Sequence, residues 1–374
     1  MSDAEDLRPR GPKRRLAALR EGFTTGTAAA AAAKAAVTLL LRGQCPPSVD
    51  VPLPEAGRLT IPLERCVRVA EGALACVLKD GGDDPDVTHQ ALICCLAEHD
   101  AAGAPGTVAL VGGVGVGRVT RPGLPVPVGE PAINPAPRRQ IVAAVHEAVA
   151  EAGHAGALRV EVRVPEGERL ARRTLNPRLG ITGGISILGT RGTVRPYSHE
   201  AYEAVIREAL DVARANGLRC AALSTGRRSE RLLQRELPEL PEYGFIQAAD
   251  LFRFTLEEAA ARGFNRLVWG CFFGKLVKMA QGCASTHANA SSVDFARLAA
   301  TWTAHGLDPA TGRAVVAANT ARQACEIIAT HPNARALVET LADEALRQAR
   351  LWTGPEVQVE CCVFDFDERL LCRK

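Results

Sequence analysis

The chain has 374 residues, of which 47% are hydrophobic and 23% charged, with a net charge of +3. That length exceeds what one core usually spans, so two domains are expected, and the apolar content leaves little room for disorder. The charge is too small to argue for nucleic acid, and the longest apolar run, residues 28–41, is interrupted by Lys34 and too short to cross a bilayer.

Residues 1–20 are polar and basic with no apolar centre, which excludes a secretory signal and predicts a mobile basic tail on a cytoplasmic protein. The twelve cysteines show no Cys-x-x-Cys and no Cys/His ligand spacing, so no protein-bound metal and no redox pair is expected. The pairs Cys94-Cys95 and Cys361-Cys362 read as small packed hydrophobes in a reduced compartment. Gly22-Phe23-Thr24-Thr25-Gly26-Thr27 precedes an alanine-rich stretch, predicting a capped helix to about Leu41. The free N–H groups at Thr24 and Thr25 either hold an anion or belong to a plain capped core helix. Strands follow at 59–63 and 66–78.

Residues 79–89 read Lys-Asp-Gly-Gly-Asp-Asp-Pro-Asp-Val-Thr-His. Asp80, Asp83, Asp84 and Asp86 repel one another, so the cluster implies a cap, a cation or a reacting group in need of a base. Asp84-Pro85-Asp86 alone fits a helix cap. One cap needs one aspartate, however, so Asp83, Asp84 and Asp86 are the candidate catalytic carboxylates, with Thr88 and His89 as hydrogen-bonding support. The alternating acid pattern of a calcium loop is absent.

Residues 91–97 fit helix or strand equally well. The turn at 103–106 followed by Thr107-Val108-Ala109-Leu110-Val111 predicts a hairpin. The glycines of 111–117 resemble a dinucleotide fingerprint only superficially, since Arg118-Val119-Thr120-Arg121-Pro122 follows and no helix does. A helix over 134–152 and a strand over 158–164 complete an α+β half. In 180–198 a short apolar strand lies between glycine pairs, and Ser198 starts a helix to about Asn216. The period then changes to strand 220–224, loop 225–228, helix, helix from Ala248, strand 266–269, loop 270–274, helix. That alternation predicts a doubly wound parallel sheet, whose ligands bind beyond the strands' carboxyl ends. Thr225, Gly226, Gly270 and Lys275 fall there. Helices fill 291–352, and a last strand, 357–364, can join either sheet. Lysine occurs six times against 39 arginines; Lys275 and Lys278, three apart on one helix, are either carboxylate-binding or a solvated turn.

Six segments together resemble the cobalt-precorrin-5B C-1-methyltransferase family (CbiD type) of anaerobic cobalamin synthesis. They are Glu21-Gly-Phe-Thr-Thr-Gly-Thr27, Lys79-Asp-Gly-Gly-Asp-Asp-Pro-Asp-Val-Thr88, Gly115-Val-Gly117 with Thr120-Arg-Pro-Gly-Leu124, Ala132-Ile-Asn-Pro135, Gly184-Ile-Ser-Ile-Leu-Gly-Thr-Arg-Gly192 and Gly274-Lys-Leu-Val-Lys-Met-Ala280. The resemblance implies an α+β domain with a mixed sheet over 21–195 and a Rossmann-like doubly wound domain over 196–374. It further implies methyl transfer from S-adenosylmethionine to ring A of a cobalt tetrapyrrole, with cobalt carried by the substrate. Thr225, Gly226, Asp250, Gly270 and Lys275 are then expected at the donor, Asp250 as a hydroxyl partner. Thr24, Thr25, Arg191, Arg195, Lys278 and His287 are expected at the polycarboxylate substrate, where arginine suits bidentate recognition. Transient contacts with neighbouring pathway enzymes are expected, with no nucleic acid and no membrane, and the sequence leaves the oligomeric state open. Two positions depart from the family pattern: Cys271 stands for a histidine and Ala288 for a serine. They motivate an alternative, a tetrapyrrole-binding or scaffold protein without turnover. An unrelated nucleotide-dependent enzyme is a third reading, but no Gly-x-x-x-x-Gly-Lys-Ser/Thr is present.

Overall fold

The structure, a computed structural model, describes residues 19–287 and 290–374. Most of the basic tail and position 288 therefore lie outside the described residues. Two compact units are present, one of Met1–Arg121 with Pro125–Ser198, the other of Pro122–Leu124 with His199–Lys374.

The N-terminal unit contains, in order, β1 (Gly22–Phe23), α1 (Thr25–Arg42), β2 (Ser48–Pro52), β3 (Arg58–Pro62), β4 (Arg65–Val69), β5 (Gly72–Leu78), β6 (Leu92–His99), β7 (Val108–Gly112), β8 (Gly115–Val116), β9 (Arg118–Val119), α2 (Pro135–Ala152) and β10 (Leu158–Arg163). The short elements α3 (Gly167–Ala171), α4 (Asn176–Leu179), β11 (Ile181–Thr182), β12 (Gly184–Ile185) and β13 (Thr193–Val194) complete it. Its mixed sheet runs β4-β5-β6-β10-β7, antiparallel except for the parallel pair β10 and β7. Helix α1 is wholly buried through its alanines, because side chains this small let the helix lie close to sheet and neighbouring helix at once. Larger residues there would overpack, at about 1–3 kcal/mol each. Helices α1 and α2 run parallel, as the pairs Thr27 with Gln140 and Lys34 with Glu147 (3.0 and 2.7 Å) show.

Several expectations are corrected here. Residues 66–78 are two strands and not one, turning at Ala70 and Glu71 to pair Val69 with Gly72. The hairpin expected around 103–106 does not form, because β10 inserts between β6 and β7. Residues 91–97 resolve as strand, with Ile93, Cys95 and Ala97 packed in the core that contains α1. No helix follows Asp84, so it caps none. Cys94 is not a lone packed thiol: it forms a disulfide with Cys76, its register partner across β5 and β6. Eighteen residues separate the two in sequence, and only strand pairing reveals their contact.

The C-terminal unit comprises α5 (His199–Ala215), β14 (Cys220–Ser224), α6 (Arg227–Glu236), β15 (Phe245–Gln247), α7 (Phe252–Ala261), β16 (Arg266–Phe272), α8 (Phe273–Ala280), α9 (Phe295–Thr303), α10 (Pro309–Val316), α11 (Ala321–Ala329), α12 (Ala334–Thr353), β17 (Gln358–Phe364) and β18 (Leu370–Arg373). Its sheet runs β15-β14-β16-β17-β18, parallel but for the antiparallel edge β18. The strand expected at 357–364 thus joins this sheet. The helix expected from Ala248 starts at Phe252 instead, after a turn in which Ala249 takes a left-handed φ of 48°. The expected loop 270–274 is absent. Strand β16 runs on to Phe272 and α8 begins at once, leaving Gly270 inside the sheet, where a Cβ would lie 2.3 Å from Leu233 of α6.

Candidate active site

In the N-terminal unit, segments far apart in sequence meet through their backbones. Phe23 N–H donates to the Asp80 carbonyl (2.8 Å), Thr24 N–H to Gly192 (3.0 Å), Gly26 N–H to Leu188 (3.1 Å) and Asn134 N–H to Ile187 (2.9 Å). Ala132 N–H donates to Gly117 (2.7 Å) and Gly117 N–H to Ile185 (2.8 Å). Five of the six segments singled out in the sequence are therefore one hydrogen-bonded network. Glycine is required where backbones touch: a Cβ on Gly22 would lie 2.3 Å from the Asp80 carbonyl, and one on Gly184 2.0 Å from that of Gly115.

The acidic loop joins this network with its carboxylates facing different partners. Asp80 pairs with the Arg20 guanidinium, which brings its carboxyl down to about 2. Asp83 accepts the Arg20 N–H (2.9 Å), and Asp84 accepts the Tyr197 N–H (3.0 Å). Asp86 pairs with Lys79 and accepts from the Thr88 N–H and Oγ1 (both 2.7 Å). Burial alone would raise the Asp86 carboxyl, but Lys79 and Thr88 outweigh it and hold it below its usual value. Lys79 is fully buried. A base with lowered affinity for protons, held against a buried ammonium, is a poor acceptor of substrate protons, so Asp86 and Thr88 shape the loop. Asp83, exposed, and Asp84, half-buried, are the carboxylates the loop presents. His89 accepts the Gly81 N–H at Nδ1 (3.0 Å).

Thr24 and Thr25 are buried and turned inward. The Thr24 Oγ1 caps α1 by accepting the Thr27 N–H (3.2 Å), while the Thr25 Oγ1 donates to the Ser186 and Leu188 carbonyls (3.3 Å each) and accepts the Leu188 N–H (2.9 Å). Carbonyls of 187–192 occupy the amino ends of α1 and α2, which fits the plain capped core helix of the two readings. Arg191 lies 3.6 Å from Glu55 and Arg195 3.1 Å from Glu21, both at the surface of the same network.

In the C-terminal unit the ends of β14, β15 and β16 carry a second polar group of residues. Thr225 Oγ1 lies 3.2 Å from Ser229 Oγ, and a Cβ on Gly226 would meet nothing within 4 Å. Asp250 Oδ1 accepts from the Thr286 Oγ1 (2.7 Å) and from Lys275. Those partners hold its carboxyl below its usual value against burial, which acts the other way. Lys275 and Lys278 both donate to the Thr286 carbonyl (3.1 and 3.0 Å), so they are not a solvated turn. His287 is exposed at the edge of this group. Among the described residues no cluster of three or more His, Cys, Asp or Glu side chains is arranged to hold a metal ion, and no helix is long and apolar enough to cross a membrane.

Comparison with known proteins decides the family. Residues 12–196 match the CbiD family model and residues 285–374 the model of the CbiD C-terminal domain. The chain is 52% identical over 362 residues to a cobalt-precorrin-5B C(1)-methyltransferase of Nitratidesulfovibrio vulgaris, covering 95% of this chain and 92% of that one. The chain belongs to the CbiD family. A Geobacillus kaustophilus protein of the same name is 50% identical over 82% of this chain and 81% of its own. A crystal structure of the cobalamin biosynthesis protein CbiD from Archaeoglobus fulgidus overlaps 71% of this chain and 81% of that one, with 28% identity and a TM-score of 0.40.

Within this CbiD chain, Cys271 is fully buried in β16, so the departure from histidine lies inside the sheet. Two groups escaped the sequence reading: Glu230, buried in the first turn of α6, and Gln247, which ends β15 and donates to the Glu230 Oε1 (3.4 Å). Glu230 follows the loop after the strand predicted at 220–224, a position that could have marked it, whereas the sequence reading placed no strand before Gln247.

Proposed function

We propose that this CbiD chain is a cobalt-precorrin-5B C(1)-methyltransferase, moving a methyl group from S-adenosylmethionine to C-1 of its cobalt tetrapyrrole substrate to give cobalt-precorrin-6A. The observation that carries this reading is the 52% identity, over nearly the whole of both chains, to the Nitratidesulfovibrio vulgaris enzyme. S-Adenosylmethionine supplies a methyl group already activated on a sulfonium, so the protein's task is alignment, worth on the order of 7–11 kcal/mol in favourable cases.

We read the parallel C-terminal sheet as Rossmann-like, with the donor beyond its strand ends. The open side of Gly226 admits close approach of a ligand, and Asp250, Glu230, Gln247 and Thr225 supply hydroxyl partners around it. We place the tetrapyrrole against the N-terminal network, where Arg191 and Arg195 suit its carboxylates and Asp83 or Asp84 accepts the proton lost from the acceptor. A donor carrying a deuterated methyl, incubated with protein and cobalt-precorrin-5B, should yield a corrinoid heavier by that methyl less one proton. An unchanged corrinoid mass, with both ligands bound, would refute turnover and leave a binding protein.

A further inference from the structure

The structure describes five lysines, and four of them meet a carboxylate. Lys34 meets Glu147 (2.7 Å), Lys79 meets Asp86, Lys275 meets Asp250 and Lys374 meets Asp343 (3.2 Å). Lys278 differs. Its Nζ donates to the carbonyls of Thr286 (3.0 Å) and Ser291 (2.7 Å), and no described carboxylate lies within ion-pair distance. Two carbonyl dipoles fix the ammonium in place without neutralising it. An ammonium has three donors, so one is left over.

The cluster's charges do not cancel. Asp250 answers the charge of Lys275, to which it is hydrogen-bonded, and the half-buried Lys278 remains in excess beside them. Burial, with Lys275 as a like charge nearby, lowers the pKa of Lys278. A cation set at such a disadvantage and held by rigid carbonyls is a standing site for an anion. Its position supports one kind of anion: Lys278 lies in α8, the helix leading directly from β16, and shares the Thr286 carbonyl with Lys275, the partner of Asp250.

We propose that Lys278 is a carboxylate receptor, and that the carboxylate is the one on the amino-acid half of the methyl donor. This rests on the donor site proposed above. A carboxylate of the acceptor has the same chemistry, so the test separates the two sources.

Calorimetry with the full chain would compare S-adenosylhomocysteine with 5′-methylthioadenosine, which keeps nucleoside and thioether but has no carboxylate. The parent should favour the former by about 10–100-fold, the scale of one charge-assisted hydrogen bond. Lys278→Gln should lose that preference by weakening only S-adenosylhomocysteine, and Lys278→Arg should keep part of it, which also covers a Gln variant that fails to fold. If the variants leave donor binding intact but raise KM for the tetrapyrrole, the receptor stands and its ligand is the acceptor. Folded variants with unchanged donor binding and unchanged KM would overturn the proposal. A parent that binds neither nucleoside would refute the donor site itself, while the KM arm still decides whether Lys278 receives a carboxylate.

Discussion

Asp86→Asn should destabilise the N-terminal unit more than Lys79→Met, and the double variant should recover most of the loss. The asymmetry comes from burial: the Lys79 side chain is 1% exposed and that of Asp86 23%, and Asp86 keeps two hydrogen bonds from Thr88. Taking the charge from Asp86 strands a fully buried ammonium, at about 3–5 kcal/mol. Taking the ammonium away leaves a carboxylate that reaches water and still has hydrogen bonds, at about 1–2 kcal/mol. The double variant should lie within about 1 kcal/mol of the parent, because an apolar side chain beside a neutral amide strands no charge. All three tryptophans, Trp269, Trp302 and Trp352, belong to the C-terminal unit, so urea unfolding followed by circular dichroism should shift while the fluorescence transition stays. Because the Asp86 carboxyl is lowered in the folded state, its contribution is complete above the unfolded value of about 3.9 and fades as pH falls through the lower folded one. The difference between parent and Asp86→Asn should therefore be flat down to about pH 4 and shrink below it. Equal costs for the two single variants, or a double variant no better than Asp86→Asn, would refute the reasoning.

Asp84→Asn retains an oxygen for the Tyr197 N–H, so the melting temperature should hold; if Asp83 or Asp84 is the base, one of the two Asn variants should lose about 10²–10⁴-fold in single-turnover methyl transfer. Parent rates in both would make the loop architecture only. Gly226→Leu should fold, since its added side chain enters open space, yet lose S-adenosylhomocysteine binding by calorimetry; retained affinity would place the donor elsewhere. Ala249→Gly should stabilise the C-terminal unit by about 1 kcal/mol, because glycine adopts the left-handed φ of 48° freely, and a fluorescence-monitored melt that moves down would contradict this.

Local signals were read well where local chemistry decides. The α1 helix was announced by Thr24 and its alanine run, and β14 by an apolar run between turn residues. Cys66 to Leu78 misled because the turn at Ala70-Glu71 carries none of the usual hairpin residues before Gly72. Gly270 was read as loop because glycine in a strand has no local mark; the tip of Leu233, from another element, explains it. At the candidate site the sequence named segments that the fold brings together and misjudged which atoms are spoken for. Asp80 meets Arg20, Asp84 meets Tyr197 and Thr25 meets Ser186 across 60, 113 and 161 residues, and no pattern within the loops can disclose those pairings.

The pairing of β1 with β13 also has a kinetic side. Gly22 faces Val194, so the first strand of the N-terminal unit waits for its last. Until residue 192 has been made, the backbone bonds of Thr24 and Gly26 to the 188–192 segment are incomplete, and the loop closed by this seam is nearly the whole unit. Closing so large a loop is an entropic cost that local contacts cannot share. The seam is therefore a late event in folding, and the backbone network of the N-terminal unit stays unfinished until that unit has been synthesised to its end.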